Sequence, residues 1–60
     1  MRLNDTLDAG IIRTIRLKLM LSQKDFAKRL GVSVTTENRW ERGHHTPSYK
    51  KQREIRRLYR

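Results

Sequence analysis

The stretch LSQKDFAKRLGVSVTTENRWERG, residues 21–43, decides the fold of this chain. Ser22 begins a helix with a capping-box pattern, and Gly31 supplies a left-handed stop nine residues later. The inward stripe of that helix is formed by Phe26, Ala27 and Leu30. A second helix begins almost at once, at Ser33. Because a tight turn is all that fits between them, the two helices must cross steeply, which is the geometry of a helix-turn-helix.

Helices are expected on both sides of this pair. Ile12, Ile15 and Leu19 recur at three- and four-residue steps and predict a first helix. After the loop GHHTPS a last, basic helix is predicted, and its inward residues are expected to be Tyr49, Ile55, Leu58 and Tyr59. There is no strand pattern and no repeat. The sequence predicts an all-α fold, a compact bundle of about four helices in a single domain over residues 1–60, with the helices at about 8–20, 22–30, 33–42 and 48–60.

The composition is strongly basic. Fifteen lysines and arginines stand against six aspartates and glutamates, a formal net charge of +9, and this predicts a polyanionic partner. No cysteine is available for a disulfide or a thiolate metal site. The longest apolar stretch, residues 15–21, is interrupted by two basic residues and is too short to span a bilayer, and the N-terminus lacks the apolar core of a signal peptide. We expect a cytoplasmic protein with no membrane partner.

Residues 21–48 resemble the helix-turn-helix domain of the phage repressor, Cro and XRE family of transcriptional regulators. The motif is carried here by Leu21-Ser22-Gln23, Phe26-Ala27, Leu30-Gly31-Val32-Ser33, Trp40-Glu41-Arg42-Gly43 and Pro47-Ser48. Order and spacing both match, and with Ile12, Ile15 and Arg16 in register the resemblance covers residues 10–48. The last dozen residues, YKKQREIRRLYR, match less well, because the family usually continues with two further apolar helices.

The resemblance implies a lambda-repressor-like domain that binds double-stranded DNA as a repressor-like regulator, with the helix at 33–42 in the major groove. The residues expected to contact bases are Val34, Thr35, Thr36, Asn38 and Arg39. The residues expected to contact phosphates are Gln23, Ser33, Arg42, His44, His45 and Thr46. The resemblance also implies a structural ion pair between Arg16 and Glu41. Arg39 is the best candidate for reading guanine, although a contact to phosphate alone stays open.

Glu37 departs from the family pattern, which carries Val, Ile or Leu at this position. Because it stands three residues before Trp40, its side chain should lie on the buried stripe. In one interpretation the carboxylate reaches the edge of the core and pairs with a lysine or arginine. In another the acid is buried and held partly neutral, or the tilt of the helix changes. An unpaired, fully buried Glu37 is set aside, because a lone buried charge costs several kcal/mol, which is comparable with the whole stability of a small domain.

The sequence also bears on functions other than DNA recognition. The sequence shows no nucleophile–base pair and no glycine-rich phosphate loop, so we expect neither an enzyme nor a cofactor, and His44 and His45 lack the nearby third ligand that a metal would need. A protein-interaction or antitoxin-type module stays open, and an apolar patch at Tyr49, Ile55 and Tyr59 would favour it. A non-specific nucleic-acid binder, a DNA-targeting part of a longer enzyme, and a homodimer on DNA also stay open.

Overall fold

Four α-helices make up most of residues 7–59, which are the residues that the computed structural model describes. In chain order they are α1 (Ala9–Lys18), α2 (Gln23–Leu30), α3 (Val34–Glu41) and α4 (Tyr49–Tyr59). The all-α prediction is confirmed. Residues 1–6 and 60, which the predicted domain and the end of its fourth helix include, lie outside the described residues. Each helix within residues 7–59 is too short or too polar to cross a membrane.

Short polar side chains begin the first three helices. Asp8, Ser22 and Ser33 each accept a hydrogen bond from the backbone N–H three residues later, at 2.8, 3.0 and 3.1 Å. Each bond satisfies one of the amides that the start of a helix leaves unpaired. The first helix ends at Lys18 rather than at residue 20, because the chain turns at Met20, whose φ of 60° is left-handed.

The core lies between all four helices. It is formed by Leu7, Ile12, Ile15, Phe26, Leu30, Trp40 and Ile55. α3 packs against α2 and α1, and α4 packs against α2. Ala27, a small residue on the predicted inward stripe of α2, is buried.

The last helix closes the core with fewer apolar residues than predicted. Ile55 is fully buried and Leu58 packs against the core. Tyr49 and Tyr59, which were predicted to face inward, are 75% and 45% exposed. That part of the prediction is wrong. One turn before Ile55, the inward position of α4 is held instead by a buried polar residue, Gln52.

Gln52 stabilises this side of the core through hydrogen bonds. Its side-chain carbonyl accepts a hydrogen bond from the backbone N–H of Leu7 at 3.3 Å, and its amide donates to the carbonyl of Pro47 at 2.9 Å. A buried amide that is satisfied on both sides carries little net cost. Gln52 therefore links α4 to the segment before α1 on one side and to the loop before α4 on the other.

Gly31, at the turn between α2 and α3, has a φ of 71°, a conformation that L side chains rarely adopt. We expect Gly31→Ala to lower the free energy of unfolding by about 1–2 kcal/mol through backbone strain alone, measured by urea denaturation. Space is not the cause, since the nearest atom to an added Cβ is 4.0 Å away.

Gly10→Ala is the matched control. Gly10 lies inside α1, and an added Cβ would meet the nearest atom, on Asp8, at an ordinary 3.5 Å. This change should raise the free energy of unfolding by about 0.5–1 kcal/mol, since alanine favours the helix. Equal effects of the two changes would contradict the role of the left-handed turn.

Candidate nucleic-acid interface

The outer face of α3 carries the residues that were predicted to contact bases. Val34, Thr35 and Arg39 are exposed, and Thr36 and Asn38 are half-buried. The opposite face of the helix is directed into the protein by its two buried residues, Glu37 and Trp40. The outer face of the helix is therefore polar except for one apolar residue, Val34, in the first turn.

The loop after α3 forms a cleft with this outer face. Thr36 and Arg39 line it from the helix, and His45, Thr46 and Lys51 line it from the loop and from α4, enclosing about 250 Å³. Two predicted phosphate contacts, at residues 45 and 46, are thus brought next to Arg39. The other two from this region, Arg42 and His44, are exposed but do not line the cleft.

Lys51 was not singled out by sequence reasoning. Its ammonium group donates to the carbonyl of Leu30 at 2.6 Å and pairs with Glu54 at 3.1 Å, so it holds the end of α2 against α4. The sequence offered one indication of this role, a lysine in the first turn after Ser48. Because α4 carries several basic residues, the sequence does not show which lysine has the role.

An ion pair joins α1 to the end of α3. Arg16 Nε lies 2.6 Å from Glu41 Oε2, and Arg16 Nη2 donates to Glu41 Oε1 at 3.1 Å. The two side chains are 11% and 4% exposed. Arg16 also donates to the carbonyl of Leu21 at 2.9 Å. This one side chain therefore links α1 both to α3 and to the segment that precedes α2. The structure thus brings together the two residues that the family resemblance paired.

Gln23 extends this pair to the outer face of α3. Its Nε2 donates to Glu41 Oε1 at 3.2 Å, and its Oε1 accepts from Asn38 Nδ2 at 3.1 Å. Hydrogen bonds therefore run without a break through Arg16, Glu41, Gln23 and Asn38. These four residues, called the bracing network below, link α3 to both α1 and α2.

The charges of the bracing network stabilise each other. Burial by itself would raise the pKa of Glu41, but the hydrogen bonds that it receives, chiefly from Arg16, outweigh burial and hold its pKa below the ordinary value. The hydrogen bond to Glu41 raises the pKa of Arg16. Both groups are therefore charged at neutral pH.

Glu37 lies beside the bracing network and is fully buried, with 0% of its surface exposed. Neither of its carboxyl oxygens has a hydrogen-bond partner of ordinary geometry among residues 7–59. The pKa of Glu37 is raised to about 8, chiefly by burial and next by the neighbouring Glu41, whose effect exceeds the lowering by Arg16.

The expectation that Glu37 reaches the edge of the core and pairs with a cation is therefore wrong. The nearby cation, Arg16, is already bonded to Glu41. Because the pKa of Glu37 lies above neutrality, the buried group is mostly the neutral acid at pH 7. The cost of a buried charge, which made full burial look prohibitive, is thereby avoided.

An apolar groove of about 620 Å³ lies elsewhere on the molecule, between α1 and α4. Ile11, Ile15 and Tyr59 are among its lining residues, and none of the predicted DNA contacts lines it. The patch that would favour a protein partner is interrupted, because Ile55 is buried between the exposed Tyr49 and Tyr59.

Two short helices joined at a left-handed glycine, with the second helix braced from behind and exposed in front, define a helix-turn-helix domain. The chain matches the family model HTH_3, the Cro/C1-type helix-turn-helix of the XRE family, over residues 12–59, and it belongs to this family. The family is one of DNA-binding transcription regulators and is generally non-enzymatic. No curated protein and no solved structure gives a significant match. The matched region includes α4, which the motif-based resemblance left out.

Proposed function

We propose that this chain recognises a specific sequence in double-stranded DNA with α3 in the major groove, and that it represses transcription by occupying that site. The bracing network is the observation that carries the proposal. It restrains α3 against α1 and α2 while the outer side chains of the helix remain free to reach a groove. A helix that is fixed in this way can present the same donors and acceptors to every base pair that it meets.

The base contacts follow from what each side chain still has available. Arg39 is exposed and has a planar fork of donors that matches the two acceptors of guanine. Asn38 gives one amide hydrogen to Gln23 and keeps the other, together with its carbonyl oxygen, which is the pair of groups that adenine recognition requires. The Thr36 hydroxyl accepts from Ser33 at 3.0 Å, so its methyl group, with Val34 and Thr35, is suited to a thymine methyl.

The phosphate contacts would flank α3 on two sides. On one side are the start of α2 at Gln23 and the start of α3 at Ser33, where unpaired amides and the helix dipole favour an anion. On the other side are the loop residues Arg42, His44, His45 and Thr46. Arg39 and His45 line the cleft beside these loop residues, whereas the ammonium group of Lys51, which also lines it, is already bonded to Leu30 and Glu54.

Selection from a randomised duplex library on the immobilised chain tests this proposal. Enrichment of a common sequence supports specific recognition, and binding without enrichment would favour the sequence-independent alternative. Two copies of the enriched sequence about one helical turn apart would indicate a dimer, and a single copy would indicate a monomer.

Arg39→Ala should weaken binding to the selected duplex about 10- to 100-fold and relax the preference at one base position. Fluorescence anisotropy with the selected duplex and with duplexes altered at single positions measures both effects. Arg57, an exposed arginine of α4, provides the control. Arg57→Ala should weaken binding to every duplex by about the same factor, and that factor should be smaller than the effect of Arg39→Ala on the selected duplex. If Arg39→Ala behaved like the control, Arg39 would be a phosphate contact only.

A further inference from the structure

Glu37 is a buried acid that the proposed DNA contacts do not use. It lies on the same helix as those contacts and one turn before Glu41. Glu41 accepts three hydrogen bonds, two from Arg16 and one from Gln23. A carboxylate has about four acceptor positions, and a neutral carboxyl group has one hydrogen to donate. Glu41 therefore has room for one more donor, and the neighbouring Glu37 has two buried oxygens without a hydrogen-bond partner among residues 7–59.

We propose that Glu37 is a positioning residue that carries a proton when α3 is set for DNA, donates that proton towards Glu41, and so makes DNA binding proton-linked. The inference rests on the proposed function. In the protonated form the network runs from the core through Glu41 and Gln23 to Asn38 on the outer face. The residue thus contributes to the orientation of a helix whose other side reads the bases.

The charged groups around Glu37 define what ionisation would do. Among the described residues, Arg16 from α1 and Glu41 from α3 are the charges that act on it, and α2 contributes the neutral Gln23 to the network. If Glu37 lost its proton, two carboxylates would share one arginine in a site closed to water. The excess negative charge would favour a displacement of α3, and the bonds from Gln23 to Asn38 and Glu41 would be weakened.

DNA adds to this effect. The phosphates of a bound duplex would lie along the flanks of α3, within about one Debye length (~8–10 Å) of much of the helix. Their negative charge disfavours the ionised form of the buried acid. By reciprocal linkage, a proton that is held more tightly in the complex means that DNA is held more tightly by the protonated protein.

The first test is the ionisation of Glu37 in the free protein and in the complex. The carboxyl carbon is followed by NMR in chain labelled with ¹³C-glutamate, and its resonance is identified by its absence from Glu37→Gln. We expect a midpoint near 8 in the free protein, as burial implies, and a midpoint at least about half a pH unit higher with a duplex carrying the selected sequence. Equal midpoints in the two samples, or a free-protein midpoint near the ordinary 4.5, would overturn the proposal.

The second test is affinity, measured by fluorescence anisotropy at pH 6.5 and pH 9.5. A shift of half a unit corresponds to about a threefold weakening of wild-type binding at the higher pH. Glu37→Gln keeps a neutral donor, so it should bind like the wild type at pH 6.5 and lack this weakening. His44 and His45 are present in both proteins, so the difference between the two isolates Glu37.

Glu37→Leu separates positioning from stability. This variant should fold at least as well as the wild type, because it removes a buried acid. It should bind the duplex several-fold more weakly at pH 6.5, because leucine cannot donate a hydrogen bond to Glu41. Tight binding by a folded Glu37→Leu would overturn the positioning role. Failure of all variants and of the wild type to bind any duplex at pH 6.5 would instead overturn the proposed function, and the free-protein titration would still report on the proton of Glu37.

Discussion

Glu37→Val is expected to raise the free energy of unfolding by about 3 kcal/mol at pH 7, which corresponds to roughly 10–20 °C in the unfolding midpoint of so small a domain. The folded chain holds the proton of Glu37 up to a pKa of about 8, whereas the unfolded chain loses it at the ordinary value of 4.5. At pH 7, which is 2.5 units above the unfolded pKa of 4.5, ionisation therefore stabilises the unfolded chain by about 1.4 kcal/mol for each of those units. Valine removes this penalty, because it has no ionisable group.

The sign of the pH dependence follows from the same shift. Because the folded pKa of Glu37 is raised, its contribution to stability is fully present below pH 4.5, is lost as the pH rises towards 8, and does not change further above that value. Glu41 acts in the opposite sense, since its lowered pKa gives a contribution that is lost only as the pH falls below its ordinary value. We therefore expect the stability contributed by these two groups to be greatest near pH 4–5.

Urea denaturation of the wild type, Glu37→Val and Glu37→Gln at pH 5, 7 and 9 checks this prediction. The gain from valine should be larger at pH 7 than at pH 5, and the glutamine variant should lose the wild-type slope between them. A gain that grew as the pH fell would show that the carboxylate is ionised and paired, contrary to its buried, unpartnered geometry.

Arg16→Met is expected to lower the free energy of unfolding by about 3–5 kcal/mol, a large part of the ~5–15 kcal/mol that holds a typical domain together. The change leaves Glu41 buried without its cation and next to a second acid, Glu37. It also removes the donor to the Leu21 carbonyl. Thermal and urea unfolding measure the loss. Arg13→Met, an exposed arginine of the same helix, is the control and should change stability by no more than about 0.5 kcal/mol.

Adding Glu41→Leu to Arg16→Met tests the cause of that loss. The double change removes the stranded charge along with its partner, so most of the stability should return. DNA binding should not return with it, because Gln23 loses the carboxylate that it donates to and the brace on Asn38 is weakened. A double variant as unstable as Arg16→Met would show that packing of the arginine stem, rather than the buried charge, causes the loss.

Local signals were enough to place the helices and the fold class. The caps at Ser22 and Ser33 and the left-handed stop at Gly31 act over three or four residues, so they can be read directly from the printed sequence. The outer face of α3 could be predicted for the same reason, because the helical period separates the inward Trp40 from the outward Arg39. The helical period does not predict which bases these side chains would contact, because that depends on the DNA sequence in the groove.

The sequence by itself determined an all-α helix-turn-helix, its turn, and the residues on the outer face of α3, which is the face that we propose meets DNA. The tertiary structure decided which partners the buried polar groups have. Gln52 is buried and hydrogen-bonded to Leu7 and Pro47, whereas Tyr49, which was expected to face inward, is exposed. The family resemblance had already paired Arg16 with Glu41, but only the packing of α1 against α3 showed that this pair leaves Glu37 without a cation and as a neutral acid. One arginine cannot serve both carboxylates fully, and spacing along the chain does not reveal which one lies opposite it.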